Sequence, residues 1–195
     1  MKDLQNILKF TKLLNEFRKI ERMNLSSRGD RKENDAEHSY QLAMLGWYIS
    51  TTQKMDLDFN LVIKYSLIHD LVEIYAGDTY VYTKNIDLKN SQKEREFSSL
   101  ERLKSEFGEI SDIFDLIEEY EKRENKESKF VYALDKVEPM ISNYLHRGKV
   151  WKENNIKLEN IINHKINKVS EDKEVERIFK KLIELMRKEE KDLFN

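Results

Sequence analysis

Residues 61–77 read LVIKYSLIHDLVEIYAG, and this stretch decides the fold. Its apolar residues recur at helical spacing and cover nearly every side, which is typical of a buried helix. The pattern predicts a helix from about Asn60 to Ala76 that ends at Gly77, because glycine is favoured just beyond a helix. We interpret this segment as the central helix of the fold.

The composition of the 195 residues favours helices throughout the chain. One proline and five glycines are too few for the frequent turns of an all-β domain. The hydrophobic fraction of 39% is enough to bury a core, and no repeat or flexible linker divides the sequence. We predict an all-α fold, a compact single-domain helical bundle over residues 1–195, with about eight helices and no strand.

Hydrophobic spacing predicts the helix boundaries before and after the central helix. The first helix is expected from about Asp3 to Glu21, with an apolar face made of Leu4, Ile7, Leu8, Leu14 and Phe17. After a polar loop, a second helix is expected near Asp35, where Asn34 and Glu37 have the spacing of a capping box. Residues 78–90 are predicted to be irregular, and helical spacing resumes in KEREFSSLERLKSEF and ISDIFDLIEEYEKR.

The C-terminal part of the chain is predicted to contain three more helices. A sixth helix, ESKFVYALDKVEPMISNYL, contains the only proline, Pro139, which is expected to kink or interrupt it. Two charged helices follow within residues 156–195, from about Lys157 to Val169 and from Lys173 to Leu193. The final run KEEKDLFN is expected to be a solvated tail, and the aromatic residues Trp47, Phe130 and Tyr132 are assigned to the core.

Composition also excludes several classes of site and partner. Without cysteine, the chain has no disulfide framework, thiolate metal site or cysteine nucleophile. The formal charge of −2 mixes both signs, so nothing predicts a nucleic-acid or membrane-surface partner. No segment approaches the roughly 18 apolar residues of a membrane-spanning helix, and a cytoplasmic protein is expected.

Ionisable residues inside apolar helices indicate where the chemistry lies. His69 and Asp70 have apolar neighbours on both sides, Asp135 lies inside KFVYALDKVEPM, and His38 opens the second helix. A buried carboxylate is costly unless it is paired or bound to a metal. Two histidines and two aspartates form a plausible ligand set for one divalent ion, with Mn, Co, Zn, Fe and Mg as candidates.

The order of these residues resembles the HD-domain phosphohydrolase superfamily. The superfamily signature is a histidine, then a His-Asp doublet, then a distant aspartate, here His38, His69-Asp70 and Asp135. The sequence is most similar to the 5′-deoxynucleotidase branch, through the segments RKENDAEHSYQLAM, LIHDLVEIYAGD and ESKFVYALDKVEPM. The resemblance covers about residues 18–145 and leaves the two C-terminal helices without a signature.

The resemblance implies an enzyme that removes the 5′-phosphate from nucleoside or deoxynucleoside 5′-monophosphates. It implies a catalytic carboxylate at Glu73 and four metal ligands, which are His38, His69, Asp70 and Asp135. The implied substrate-binding residues are Arg22, Asp70, Asp78, Thr79 and Asp135, with Arg22 at the phosphate. Resembling proteins form dimers and the amphipathic terminal helices offer apolar surface, so a homodimer is expected.

Departures from the family pattern bear on substrate choice. Met23 stands where bacterial members have a tryptophan linked to deoxyribose selection, and DTYVYTK replaces a proline-rich segment. Ile74 occupies the place of an aspartate found in hydrolases of guanosine tetraphosphate. Because no histidine lies between Asp70 and Asp135, one metal ion is expected rather than two.

Alternatives remain open for the individual residues and for the whole chain. Glu73 taken alone could be a surface glutamate, Asp78 a turn residue after Gly77, and Arg22 a solvated helix end. The chain could also be a non-catalytic regulatory or interaction protein that binds a nucleotide or a metal. The presence of both Glu73 and Asp78 favours the enzyme, since a site without catalysis has little need for them.

Overall fold

The protein is helical over most of its length, in a computed structural model that describes residues 2–26 and 28–195. Helices account for 72% of the structure, which confirms the predicted all-α fold class. The helices are α1 (Lys2–Phe17), α2 (Asp35–Thr52), α3 (Phe59–Ile68), α4 (Glu73–Ala76), α5 (Ile86–Asn90), α6 (Gln92–Glu106), α7 (Ser111–Lys122), α8 (Lys126–Leu145), α9 (Lys149–Glu153), α10 (Leu158–Val169), α11 (Lys173–Lys188) and α12 (Glu190–Leu193), with a short 3₁₀ turn at Gly108–Ile110.

A small β-hairpin corrects the prediction of a chain without strands. Strand β1 (Glu21–Leu25) pairs antiparallel with β2 (Lys32–Asn34). The pairing register shifts within β1, between the two positions at which residues of the strands pair. The first helix therefore ends at Phe17 and not at Glu21. Both strands are short and rich in charged residues, so they lack the alternation of apolar and polar residues that would have identified them.

Helix α1 also differs from the prediction in the face that it buries. Among residues 3–17, only Leu13 and Phe17 are buried, at 5% exposure each. The other residues of the predicted apolar face are largely exposed: Leu4 at 59%, Ile7 at 61%, Leu8 at 60% and Leu14 at 41%. Helical spacing identified the helix, but only its last turns are covered by the rest of the chain.

The start of α2 agrees with the predicted capping box. The side-chain oxygen of Asn34 accepts from the backbone N–H of Glu37 at 3.0 Å, and a Glu37 carboxylate oxygen accepts from the N–H of Asn34 at 3.1 Å. The cap satisfies amide groups that the first turn leaves without helical partners. It also fixes a turn whose Asp35 and His38 side chains are fully buried.

The predicted central helix is divided at the histidine-aspartate pair. Helix α3 ends at Ile68, and α4 begins at Glu73. Between them the chain turns tightly, with the N–H of Leu71 bound to the carbonyl of Ile68 at 3.0 Å and that of Glu73 to the carbonyl of Asp70 at 2.8 Å. Gly77, at φ +74°, follows α4, so the predicted end of the segment is confirmed.

Helix α8 is the helix around which the core forms. It packs against α2, α3, α10 and α11 and is continuous through Pro139, which corrects the predicted interruption. Proline removes one helical hydrogen bond and crowds the preceding turn, at a cost of about 3 kcal/mol. Burial along both sides of this 20-residue helix opposes that cost.

The C-terminal helices fold back onto α8 and do not leave a solvated tail. Leu193 and Phe194 are buried, and the Phe194 ring stacks on Trp151 with centroids 5.0 Å apart, so the predicted tail is wrong at its end. The apolar face of α11, made of Val175, Phe179, Ile183 and Met186, is buried within this same chain. The homodimer stays a prediction, and this buried face of α11 cannot form its interface.

The three aromatic residues assigned to the core have different positions. Phe130 is fully buried as predicted, whereas Trp47 is 48% exposed. Tyr132 is partly buried and borders a cavity.

Among the helices that the structure describes, none combines the length and apolar character needed to cross a membrane.

The close approach of α9 to the C-terminus gives a test of this packing. Gly148 has φ +66°, and a Cβ atom at this position would overlap the backbone carbonyl of Leu193. Gly148→Ala should lower the free energy of unfolding by about 2 kcal/mol or more, through left-handed backbone strain and steric overlap. Urea denaturation followed by circular dichroism measures the change.

Gly108→Ala is the matched control for this substitution, because among the described residues no atom outside its own stretch of chain lies within 4 Å of the added Cβ. Its unfolding free energy should stay within about 0.5 kcal/mol of the wild-type value. Equal stability of the two variants would contradict the described packing of the C-terminus on α9.

Candidate metal centre and substrate pocket

Two buried histidines face the same point in the core. His38 comes from the first turn of α2, and His69 follows the last residue of α3. The Nε2 atoms of His38 and His69 lie 3.1 Å and 3.8 Å from Oδ1 of Asp135, which projects from the middle of α8. Three distant parts of the sequence therefore converge.

Asp70 completes the set of four residues that the sequence predicted to lie together. Its Oδ2 atom is 3.0 Å from Nε2 of His69 and 3.9 Å from Nε2 of His38. The tight turn between α3 and α4 allows adjacent residues to approach one point, which an uninterrupted helix makes difficult because neighbouring side chains diverge by about 100°.

The far side of each imidazole ring is held by an acceptor. Nδ1 of His38 donates to Oε2 of Glu138 at 3.0 Å, and Nδ1 of His69 donates to the carbonyl of Ser66 at 3.0 Å. With the proton on Nδ1, a neutral imidazole presents its Nε2 lone pair to the centre. This arrangement is typical of histidine ligands, whose second nitrogen is oriented by an outer partner.

The chemistry of the donor set fits a divalent ion. Nε2 of His69 is buried and makes no hydrogen bond of good geometry to any of the described residues. Burial lowers the pKa of His69, but the carboxylates of Asp70 and Asp135 overcome this effect and raise it to about 10. The centre therefore favours a positive charge, and a divalent ion supplies one to imidazole and carboxylate ligands.

The β-hairpin contributes a cation to this centre. Nη1 of Arg22 donates to Oδ1 of Asp35 at 3.0 Å and to Oδ2 of Asp70 at 2.6 Å. Arg22 lies in β1 with its side chain only 14% exposed, so its interpretation as a solvated helix end is wrong. The hairpin that the sequence did not predict is the element that brings this guanidinium to Asp70.

Glu73 lies beside the centre as a buried acid. Its Oε2 atom has no hydrogen-bond partner among residues 2–26 and 28–195, so it is not a surface glutamate. Burial, together with the charges of Asp70, Asp35 and Asp78, raises the pKa of Glu73 well above its usual range. A raised pKa favours the protonated form of a carboxyl group, which can act as a proton donor.

Asp78 and Thr79 lie just beyond α4. Both border the cavity next to Glu73, and burial raises the pKa of Asp78. The Thr79 hydroxyl is buried and accepts a hydrogen bond from Nη2 of Arg95 at 2.7 Å. Asp78 therefore faces the cavity, while Thr79 connects its rim to α6.

A cavity of about 230 Å³ is lined by three of the four converging residues, His69, Asp70 and Asp135. Its lining includes the ionisable side chains of Arg22, Asp70, Glu73 and Asp78. Other parts of the lining come from Met23 and Asn24 of β1, the loop residues Tyr80 and Tyr82, Trp151 of α9 and Lys165 of α10. The cavity combines aromatic surface with a few converging polar groups, as small-molecule sites commonly do.

Sequence reasoning missed three residues that support the site. Glu138 holds His38, and its position three residues after Asp135 in an apolar helix was a signal that could have identified it. Arg95 and Lys165 lie in charged helices, where the sequence offers no sign that Arg95 is partly buried and Lys165 is buried.

Arg95 fastens the segment that carries Asp78. Its guanidinium donates to the carbonyl of Ala76, to Thr79 Oγ1 at 2.7 Å and to the carbonyl of Leu88 at 3.1 Å. These bonds join the end of α4 to the segment before α6. Arg95 is therefore a positioning residue for the rim of the cavity.

Comparison with known proteins identifies similar chains. A family model described as HD domain matches residues 14–179. A predicted metal-dependent phosphohydrolase from Magnetospirillum magnetotacticum is 26% identical, with a TM-score of 0.81 over 95% of this chain and 93% of that chain. A conserved hypothetical protein from Pyrococcus furiosus shares the fold at 23% identity, with a TM-score of 0.64 over 93% of this chain and 99% of that one. Curated protein sequences gave no match.

The bond between His38 and Glu138 leads to a prediction about metal affinity. Glu138→Gln keeps the shape of the side chain but removes the charge that orients the imidazole. The affinity for Mn²⁺ or Co²⁺ should fall by roughly 10-fold to 100-fold, as expected when an outer partner of a histidine ligand is lost. Isothermal titration calorimetry measures the dissociation constant, with Glu159→Gln on the exposed face of α10 as the control. An unchanged constant for Glu138→Gln would contradict this role.

The Arg95 contacts predict the local stability of the rim. Arg95→Gln should speed backbone hydrogen exchange about tenfold in peptides that cover residues 76–80, because the loss of charged hydrogen bonds lowers the cost of local opening. Exchange measured by mass spectrometry tests this, and Lys93→Gln, an exposed residue on the same helix, is the control. Equal exchange in the wild type and in Arg95→Gln would count against the positioning role.

Proposed function

The chain belongs to the HD-domain family, and on that premise we propose that it is a metal-dependent phosphohydrolase acting on nucleoside or deoxynucleoside 5′-monophosphates. The single observation that carries this proposal is the convergence of His38, His69, Asp70 and Asp135 beside a cavity that is also lined by the buried acid Glu73. A phosphoric monoester hydrolase needs both elements, a cationic centre for phosphate and an acid for the leaving group.

The four converging residues are the proposed ligands of one divalent ion. The ion, when bound, supplies Lewis-acid stabilisation of phosphoryl charge and lowers the pKa of a coordinated water molecule. Asp70 and Asp135 also face the cavity, so they are proposed to lie against the phosphate of a bound substrate. The structure of the site leaves Mn, Co, Zn, Fe and Mg as candidates.

Glu73 is the proposed general acid. In the reaction, a water oxygen forms a bond to phosphorus and the bond between phosphorus and the 5′-oxygen breaks. The departing 5′-oxygen needs a proton, which Glu73 is proposed to donate, because burial and the neighbouring carboxylates raise its pKa well above the usual range. The attacking water releases one proton as it bonds to phosphorus, and this proton restores the carboxyl group of Glu73. The products are a nucleoside and inorganic phosphate.

The remaining predicted residues have proposed roles around the substrate. Arg22 is proposed to stabilise phosphate charge while it holds Asp70 in place, since guanidinium carries several donors. Asp78 is proposed to contact the nucleotide, and Thr79 to fix the rim beside it. The aromatic rings of Tyr80, Tyr82 and Trp151 give the cavity surface against which a nucleobase could stack.

Substitution of the proposed acid gives the most specific test of this reaction. Glu73→Gln should lower kcat by about 10²-fold to 10⁴-fold, because the amide cannot donate a carboxyl proton to the leaving oxygen. Metal content should be unchanged, since Glu73 is not among the proposed ligands. Phosphate release and bound metal are measured on the same preparation, with Glu94→Gln, which is exposed on α6, as the control.

A substrate screen tests the proposal more broadly. Ribonucleoside and deoxyribonucleoside 5′-monophosphates are each assayed with Mn²⁺, Co²⁺, Mg²⁺ and Zn²⁺, and a chelator should abolish phosphate release. Nucleotide binding without phosphate release under every metal condition would instead support a non-catalytic binding protein. That result would refute the proposed activity.

A further inference from the structure

A buried lysine from the C-terminal half of the chain lines the cavity. Lys165 of α10 is 7% exposed, and its Nζ atom donates to the backbone carbonyl of Lys136 at 2.7 Å. Both lysines border the cavity that is also lined by His69, Asp70 and Asp135. The burial of Lys165 is unusual, because lysine is rarely buried without a partner of opposite charge.

The described residues give Lys165 no such partner. No carboxylate oxygen in residues 2–26 or 28–195 lies within 4.0 Å of its Nζ atom. The nearby Lys136 pairs with Asp135, which is itself shared with His38. A buried cation bound only to a neutral carbonyl keeps much of its desolvation cost, and an anion beside it would reduce that cost.

Two other basic residues of α10, His164 and Lys168, lie within one turn of Lys165. Nζ of Lys168 lies 2.9 Å from Nε2 of His164. Burial and the neighbouring lysines lower the pKa of His164 to about 4, and burial together with Lys136 lowers that of Lys165 to about 7. Each cation therefore makes the others harder to protonate, and a bound anion would relieve this repulsion.

A second unpartnered donor lies in the same lining. The hydroxyl of Tyr82 is buried and makes no hydrogen bond to the described residues. Its ring is 5.6 Å from the ring of His164, the residue next to Lys165. A buried hydroxyl without a partner is costly and indicates a ligand that supplies an acceptor.

We propose that Lys165 and Tyr82 form an anion-binding subsite in the cavity, whose ligand is a phosphate group of the substrate. The ammonium group supplies charge, and the phenol supplies a directed hydrogen bond. The identification of the phosphate as part of a nucleotide rests on the proposed function. The subsite also gives helix α10 a role that the sequence does not indicate. The phosphate is either the 5′-phosphate that is cleaved or, where the nucleotide is a 3′,5′-bisphosphate, its 3′-phosphate.

Binding of inorganic phosphate tests the subsite without any catalytic turnover. Isothermal titration calorimetry is carried out on metal-loaded protein and on protein treated with a chelator. Lys165→Gln should weaken phosphate binding about tenfold or more, the usual effect of losing a charged hydrogen bond, whereas Lys165→Arg should stay within about threefold of the wild type. Lys181→Gln, an exposed position on α11, is the matched control and should bind as the wild type does.

A measurement on the wild-type protein keeps the test valid if Lys165→Gln does not fold. Lysine Cε–Hε signals are recorded by NMR during titration with phosphate, and the Lys165 signal is assigned by its loss in Lys165→Arg. Phosphate should shift this signal and leave that of Lys181 unchanged. Wild-type affinity in Lys165→Gln, or no shift of the Lys165 signal at saturating phosphate, would overturn the subsite.

Binding measurements with two nucleotides identify which phosphate occupies the subsite. Binding of a nucleoside 5′-monophosphate and of the matching 3′,5′-bisphosphate is compared in wild type and Lys165→Gln. Equal losses for the two ligands would assign the subsite to the 5′-phosphate, and a larger loss for the bisphosphate would assign it to the second phosphate. Phosphate binding at Lys165 without nucleotide hydrolysis would refute the proposed enzyme while it supports the subsite.

Discussion

Buried carboxylates that must be neutralised are the constraint on which the centre of the structure depends. Asp35 and Asp135 are buried and the side chain of Asp70 is only 17% exposed, and isolated carboxylates in such surroundings would be strongly unfavourable. Arg22 joins Asp35 to Asp70, and the two histidines lie against Asp70 and Asp135. Removing one cation leaves the remaining carboxylates uncompensated, so the hairpin, the start of α2, the α3–α4 turn and α8 depend on one another.

The sequence was sufficient to predict most of the long helices and the four converging residues. Apolar helical spacing identified most helices, and the Asn34–Glu37 capping box located the start of α2. The four residues were recognisable because histidine and aspartate are unusual among the apolar residues of a buried helix. Glu73 was identified through the family resemblance, and its burial shows why this position has unusual acidity.

Features that depend on contacts distant in sequence could not be predicted in the same way. The hairpin is held by pairing of short charged strands and by the bonds of Arg22 to Asp35 and Asp70, none of which produces an apolar pattern. The break after Ile68 has no proline or glycine to mark it. Lys165 resembles any solvated lysine in sequence, and only the packing of α10 on α8 shows that it is buried.

The central claim is that one divalent ion is held by His38, His69, Asp70 and Asp135. Anomalous diffraction from a crystal soaked with Mn²⁺ or Zn²⁺ tests it directly. We predict one strong peak at about 2.0–2.3 Å from Nε2 of both histidines and from oxygens of both aspartates. A saturated crystal with no peak between these residues, or with its metal at other ligands, would contradict the claim.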